Sequence, residues 1–244
     1  MTTPEYLLIA YFILNPVFIF FSYHKDKKTV TENPAKKITL YRWTLLFLWL
    51  PTLFTLALSY SGQISVSNLG ISWHWNWITA GCLVLLLFTV TYLLFSLAQI
   101  KKRIRDDCQL QKSLNGQLAQ SQWFMPTTPR ETRYFIFAIS VSAGICEELL
   151  FRGYLLNLLS GLLPDYAAVT LSAILFALPH IYQGVIPAMR TFIMGVIFAL
   201  LYLLTDSIII CILLHITLDI YAGILAYLVF QSKTISSDHS PQVA

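Results

Sequence analysis

A short apolar stretch of this sequence carries three ionisable side chains, Glu147, Glu148 and Arg152, within residues 146–153. A charge at the depth of a bilayer costs on the order of a few kcal/mol and is kept mainly where a partner or a reaction uses it. On a helix, Glu148 and Arg152 share a face and can pair, whereas Glu147 points about 100° away. The spacing therefore predicts one carboxylate left free for chemistry. The alternative is a buried ion network that only locks helices together.

A second polar group, His180, ends the apolar segment that contains Phe176. Pro179, Gly184 and Pro187 interrupt the helix at this point. Irregular backbone at membrane depth is tolerated where it lines a cavity, so we expect His180 at a bend that faces one. Taken alone, the histidine could equally be a capped side chain at the membrane interface.

A third pair, His215 and Asp219, lies well inside the last apolar segment. Residues four apart on a helix share a face, so a hydrogen bond between these two buried groups would be a sufficient structural explanation. Carboxylates with imidazoles are also the groups that enzymes use to move protons. The pair is thus a candidate for structure and for chemistry alike.

Together the three segments suggest hydrolysis by an activated water. Glu147 could act as general base on a water also held by His180, while His215 with Asp219 could stabilise the oxyanion of a tetrahedral intermediate. Such a site cleaves a peptide bond without a nucleophilic Ser or Cys. Alternatively, Glu147, His180 and His215 could hold Zn²⁺, although no H-E-x-x-H motif is present.

The composition indicates that these groups sit in a membrane protein. Of 244 residues, 57% are hydrophobic and only 11% are charged, which is outside the range of soluble domains. The net charge of +4 does not point to nucleic acid, because most Lys and Arg lie in two stretches, 25–42 and 101–133. By the positive-inside rule both stretches face the cytoplasm, with the N-terminus outside.

Apolar segments of spanning length predict an all-α, polytopic fold with seven helices, or eight if the long fourth one splits near Gly153. They cover about 6–23, 41–60, 77–100, 133–163, 166–180, 186–204 and 207–230. Tryptophans such as Trp49 are expected to anchor spans at the lipid interface. We divide the chain into a three-span region (1–100), a cytoplasmic loop or surface helix (101–131), a core of about four helices that carries the site (132–230) and a polar tail (231–244).

The pattern resembles the CPBP family of intramembrane proteases, which includes the type II CAAX prenyl proteases, the bacteriocin-processing proteins and the Abi proteins. Its three motifs, E-E-x-x-x-R, F-x-x-x-H and H-x-x-x-N/D, match in order over about residues 132–230. They fall on Glu147-Glu148 with Arg152, on Phe176 with His180, and on His215 with Asp219.

This resemblance implies an intramembrane endopeptidase that acts on a membrane-associated peptide or protein, in a multi-pass chain of a bacterial plasma membrane. By the resemblance, the catalytic residues are Glu147, His180, His215 and Asp219, and the supporting residues are Glu148, Arg152 and Phe176. Prenyl proteases typically have Asn at the last motif position. Because this chain has Asp219 there, the resemblance leaves open whether the substrate is prenylated.

The family has been described both as metal-dependent and as a glutamic type. We favour the metal-free form, with no cofactor, and zinc remains the alternative. Two other functions stay open: a non-catalytic immunity or scaffold protein of the same fold that binds peptides, and a small proton-coupled transporter.

Overall fold

The computed structural model describes residues 3–238 of the chain, and the side chains of residues 3–232. This part is built from helices joined by short turns and loops, and seven of its helices are long and apolar enough to cross a membrane. The predictions of an all-α polytopic fold and of seven spans are confirmed. The predicted tail from residue 231 begins within the last helix, and residues 239–244 lie outside the described part.

The helices are numbered in chain order, and α4 is the short helix that does not span. They are α1 (Thr3–Glu32), α2 (Lys37–Tyr60), α3 (Trp77–Arg103), α4 (Cys108–Leu118), α5 (Pro129–Ser160), α6 (Asp165–Ala177), α7 (Val185–Thr205) and α8 (Ile208–Asp238). A 3₁₀ turn, Leu178–Gln183, continues α6 and completes its span.

Local sequence determines where two of the helices begin. The Thr128 hydroxyl accepts a hydrogen bond from the Glu131 backbone N–H at 3.2 Å, and Pro129 takes the first position of α5. Asp107 caps α4 in the same way through the N–H of Leu110. Both patterns are favourable because cap side chains satisfy orphan N–H groups and proline needs no bond there.

Helix α5 runs without a break through the point where a split was considered. Two π-helical segments, Phe135–Ser140 and Leu149–Leu156, lie on either side of the Glu147-Glu148 pair. Gly153 does not break the helix but allows the Leu69 backbone to approach it closely, because a Cβ placed there would lie 2.7 Å from the Leu69 carbonyl oxygen. The loop between α2 and α3 thus packs directly on α5.

The two basic stretches of the sequence meet on one side of the molecule, which we call the basic side. Lys37 Nζ donates to the Met125 carbonyl at 2.9 Å and lies 3.3 Å from Glu131 Oε2. On the opposite side, the Ile208 N–H donates to the Gly70 carbonyl at 2.9 Å. Each side is therefore held together by contacts between the three-span region and the C-terminal helices.

The main apolar core surrounds the second half of α5, the most buried of the spanning helices. Phe12 of α1 packs edge-on against Phe151 at 5.1 Å. Trp49 of α2 donates its indole N–H to the Ser142 hydroxyl at 2.9 Å. Its interpretation as a lipid anchor was wrong, because the polar edge of the ring is turned towards α5 and bonds a hydroxyl there.

Candidate active site

The centre of the site is a carboxylate shared by an arginine and a histidine. Glu148 Oε1 accepts a hydrogen bond from Arg152 Nη1 at 3.0 Å and lies 2.7 Å from His215 Nδ1. Glu148 and Arg152 are fully buried, with 0% and 1% of their surfaces exposed. The predicted pairing of Glu148 with Arg152 is thus present, and the link from Glu148 to His215 is an addition that joins α5 to α8.

Arg152 is held by more than its carboxylate partner. Its Nη2 donates to the Gly195 carbonyl of α7 at 3.1 Å. The guanidinium carbon also lies 4.3 Å from the centre of the Phe176 ring and 5.1 Å from that of Phe198. These contacts offset the cost of burying the charge, while Nε of Arg152 has no hydrogen-bond partner among the described residues. Arg152 therefore ties α5, α6 and α7 together around Glu148.

These contacts orient the His215 imidazole. The Phe198 ring stacks on it with centroids 5.4 Å apart and an interplanar angle of 17°. With Nδ1 turned to Glu148, the other nitrogen, Nε2, lies 3.9 Å from Glu147 Oε2 and 3.7 Å from Asp219 Oδ2. Both distances are too long for a hydrogen bond, so the simple His215–Asp219 bond considered from the sequence is not formed. Nε2 instead faces two carboxylates across a gap.

His180 occupies the 3₁₀ turn that follows α6, where a bend was expected. Its Nδ1 lies 3.3 Å from the Phe176 carbonyl oxygen. Because a carbonyl only accepts, Nδ1 carries the proton in this contact and Nε2 keeps its lone pair. The turn ends at Gly184, whose φ of +107° is unfavourable for other residues.

The Phe176 ring lies close to both histidines. The centre of the Phe176 ring is 6.1 Å from the His180 ring and 6.1 Å from the His215 ring. If all helices were straight, the sequence would place His180 and His215 at different depths in the membrane. The bend at His180 brings both histidines close to Phe176. All three sequence motifs therefore converge on one place.

A glycine allows the two helices that carry the acidic groups to approach. A Cβ at Gly144 of α5 would lie 2.5 Å from Ile216 Cγ1 of α8. Gly144 is one turn before Glu148, and Ile216 follows His215. The small residue thus sets the helix spacing that lets Glu148 reach Nδ1 of His215.

Helix α7 contributes to the site although its sequence gave no indication of it. Gly195 offers only a backbone carbonyl, and Phe198 is one apolar residue among many in this span. No signal of residue type or spacing could have identified them, since both act through tertiary contacts.

The residues present do not form an evident metal site. Among residues 3–232, no three His, Cys, Asp or Glu side chains are grouped so that they could hold a metal ion. His215 Nδ1 is engaged with Glu148, which leaves one nitrogen of that ring as a potential ligand. The arrangement suits proton transfer and hydrogen bonding among carboxylates and imidazoles.

Comparison with known families supports the resemblance drawn from the motifs. Residues 129–221 match the model of the family described as "Type II CAAX prenyl endopeptidase Rce1-like". This range runs from the start of α5 into α8 and contains all three motifs, so the resemblance is confirmed. Comparisons with curated proteins and with solved structures give no match.

Proposed function

We propose that this chain, whose residues 129–221 match the type II CAAX prenyl endopeptidase family, hydrolyses a peptide bond of a membrane-associated protein or peptide with a water activated by Glu147. The setting would be the plasma membrane of a bacterium, with the basic side towards the cytoplasm. We place the cut near the C-terminus of the substrate.

One observation carries this proposal: Glu148 Oε1 bridges Arg152 and His215 at 3.0 and 2.7 Å. If Glu147 and Glu148 served only to lock helices, both would be expected in ion pairs or hydrogen bonds of this kind. Glu147 instead keeps its carboxylate 3.9 Å from His215 Nε2 and remains partly exposed, with 20% of the side chain accessible. Among residues 3–232 no side chain hydrogen-bonds the Glu147 carboxylate, which is therefore available to accept a proton from water as a base.

The proposed reaction begins with proton transfer from water to the Glu147 carboxylate. The water oxygen adds to the carbonyl carbon of the scissile bond, and the carbonyl oxygen becomes an oxyanion. Glu147 then returns the proton to the leaving amine as the C–N bond breaks. His180 Nε2, which carries a lone pair, accepts a hydrogen bond from the second O–H of the water and orients it, and that hydrogen stays on the oxygen.

His215 would stabilise the oxyanion in this scheme. Its Nδ1–H donates to Glu148, so Nε2 can donate to an oxyanion only when the ring is an imidazolium. Glu147, Glu148 and Asp219 all lie within 4 Å of its nitrogens, and their negative charge favours that form. Asp219 cannot donate while ionised, and because it lies 3.7 Å from Nε2 we assign it to orienting His215 through its charge and not through a hydrogen bond.

The test is cleavage of a library of membrane-associated peptides by the purified full-length protein in detergent. Glu147→Gln and His215→Ala should abolish cleavage while the protein stays folded. Glu32→Gln is the matched control, because its side chain is 66% exposed on the basic side. Each protein is measured with and without a zinc chelator, and the glutamic mechanism requires that the chelator has no effect.

Two results would overturn the proposal. If folded wild type cleaves nothing but binds peptides as well as the variants do, the protein is a binding or immunity protein of this fold. If the chelator removes activity and zinc restores it, the metal-free mechanism is wrong while the peptidase function stands.

A further inference from the structure

The site as described is short of hydrogen-bond donors. Ionised Glu147, Glu148 and Asp219 only accept, and His180 presents a lone pair when its Nδ1 donates to Phe176. His215 Nε2 is then the one donor among these motif residues that can face a developing oxyanion. Removing one donor from an oxyanion site typically costs about 10²- to 10³-fold in rate, so a single donor surrounded by carboxylates would be a weak arrangement.

Helix α1 lies across the same region and is anchored at two points. Near its start, Phe12 packs on Phe151 at 5.1 Å, one turn after Glu147 on α5. Near its end, Tyr23 lies 4.9 Å from Tyr182, ring centre to ring centre, in the turn that carries His180. The part of α1 between these two contacts therefore runs alongside the site, from one turn after Glu147 to the turn that carries His180.

Two polar side chains, Tyr11 and Asn15, lie on this part of α1. They are four residues apart and share a face, and both are partly buried. The Tyr11 ring lies 5.5 Å from that of Phe12, which packs on Phe151 one turn after Glu147. Among residues 3–232, neither side chain makes a hydrogen bond of its own. An amide and a phenol in an apolar span are costly without a partner, which suggests that their partner is a substrate.

We propose that the Tyr11 hydroxyl and the Asn15 amide are substrate-facing donors, which hydrogen-bond the oxyanion or the adjoining peptide group of the scissile bond. The site is then completed by the three-span region, outside the matched range 129–221. This inference rests on the proposed peptidase function. It assigns α1 a catalytic role that the motifs do not contain.

The experiment measures kcat and KM of full-length protein in detergent with a peptide that wild type cleaves. Tyr11→Phe and Asn15→Leu remove the donors with little change in volume, and Tyr6→Phe, 60% exposed on the same helix, is the control. We expect each site variant to lose about 10²-fold in kcat with KM within about twofold, since the bond strengthens only in the transition state. Thermal unfolding of each variant checks that it is folded.

The inference fails if both folded site variants keep kcat within about threefold of wild type, or if only KM rises. In either case Glu147→Gln shows whether the peptidase function fails or only the proposed role of α1. If wild type cleaves and Glu147→Gln does not, the peptidase function stands and only the role of α1 is lost. If wild type cleaves nothing, both fall together.

Discussion

Replacing Arg152 with methionine tests whether the buried cluster is held by charge. The substitution removes the ion pair to Glu148 at 3.0 Å, the hydrogen bond to the Gly195 carbonyl at 3.1 Å and the contacts with two aromatic rings. It keeps a side chain of similar length. Glu148 is left buried with His215 as its remaining partner. Breaking one side of a buried pair costs about 3–5 kcal/mol, and we expect a loss of about 3 kcal/mol because His215 compensates in part.

The double variant Arg152→Met with Glu148→Gln should recover part of this loss, because the uncompensated charge is then gone. A coupling free energy of about 2 kcal/mol is expected between the two positions. The double variant should be inactive, since His215 then loses the carboxylate that orients it. Arg190→Met, at an exposed position on α7, is the control for loss of an arginine.

The assay is equilibrium unfolding of the purified proteins in mixed micelles, followed by circular dichroism. The reasoning is refuted if Arg152→Met changes the free energy of unfolding by less than about 1 kcal/mol. It is refuted equally if the two substitutions are additive, because the pair would then not be coupled.

Two further substitutions probe contacts that carry no charge. Phe198→Leu removes the ring that stacks on His215; we expect kcat to fall about tenfold with a smaller change in KM, and an unchanged kcat would count against the orienting role of the ring. Gly153→Ala places a Cβ 2.7 Å from the Leu69 carbonyl oxygen and should destabilise the protein by about 1–3 kcal/mol in the same unfolding assay. Gly81→Ala, where nothing lies within 4 Å, should be neutral or slightly stabilising, and equal effects at the two glycines would contradict the steric explanation.

The spans and the motif residues were predictable because they depend on local sequence. Apolar length determines the seven spans, and ionisable residues are so unfavourable in a membrane that Glu147, Glu148, His215 and Asp219 stand out by type alone. Spacing of four residues correctly paired Glu148 with Arg152. These inferences need no knowledge of how the helices pack.

The partners that come from other helices were not predictable. The contact of Glu148 with His215 depends on a close approach at Gly144, and the Phe198 ring is one phenylalanine in an apolar span. Trp49 was misjudged because its indole N–H suits a lipid interface as well as a hydroxyl on a neighbouring helix. In each case the sequence leaves several partners open and only the packing selects one.

The two π-helical segments of α5 let the helix hold additional residues on either side of the acidic pair. A π turn holds more residues than an α turn of the same span. Deleting one residue from an α-helical segment turns the residues that follow by about 100° about the helix axis, but a deletion within Leu149–Leu156 can be taken up as the π turn relaxes to α geometry. Asn157, whose amide Nδ2 lies 2.6 Å from the Asn68 carbonyl and 2.6 Å from the Tyr202 hydroxyl, would then keep close to its present direction. Homologous chains that share the catalytic motifs should therefore vary by a single residue in this segment more readily than in the α-helical part of α5.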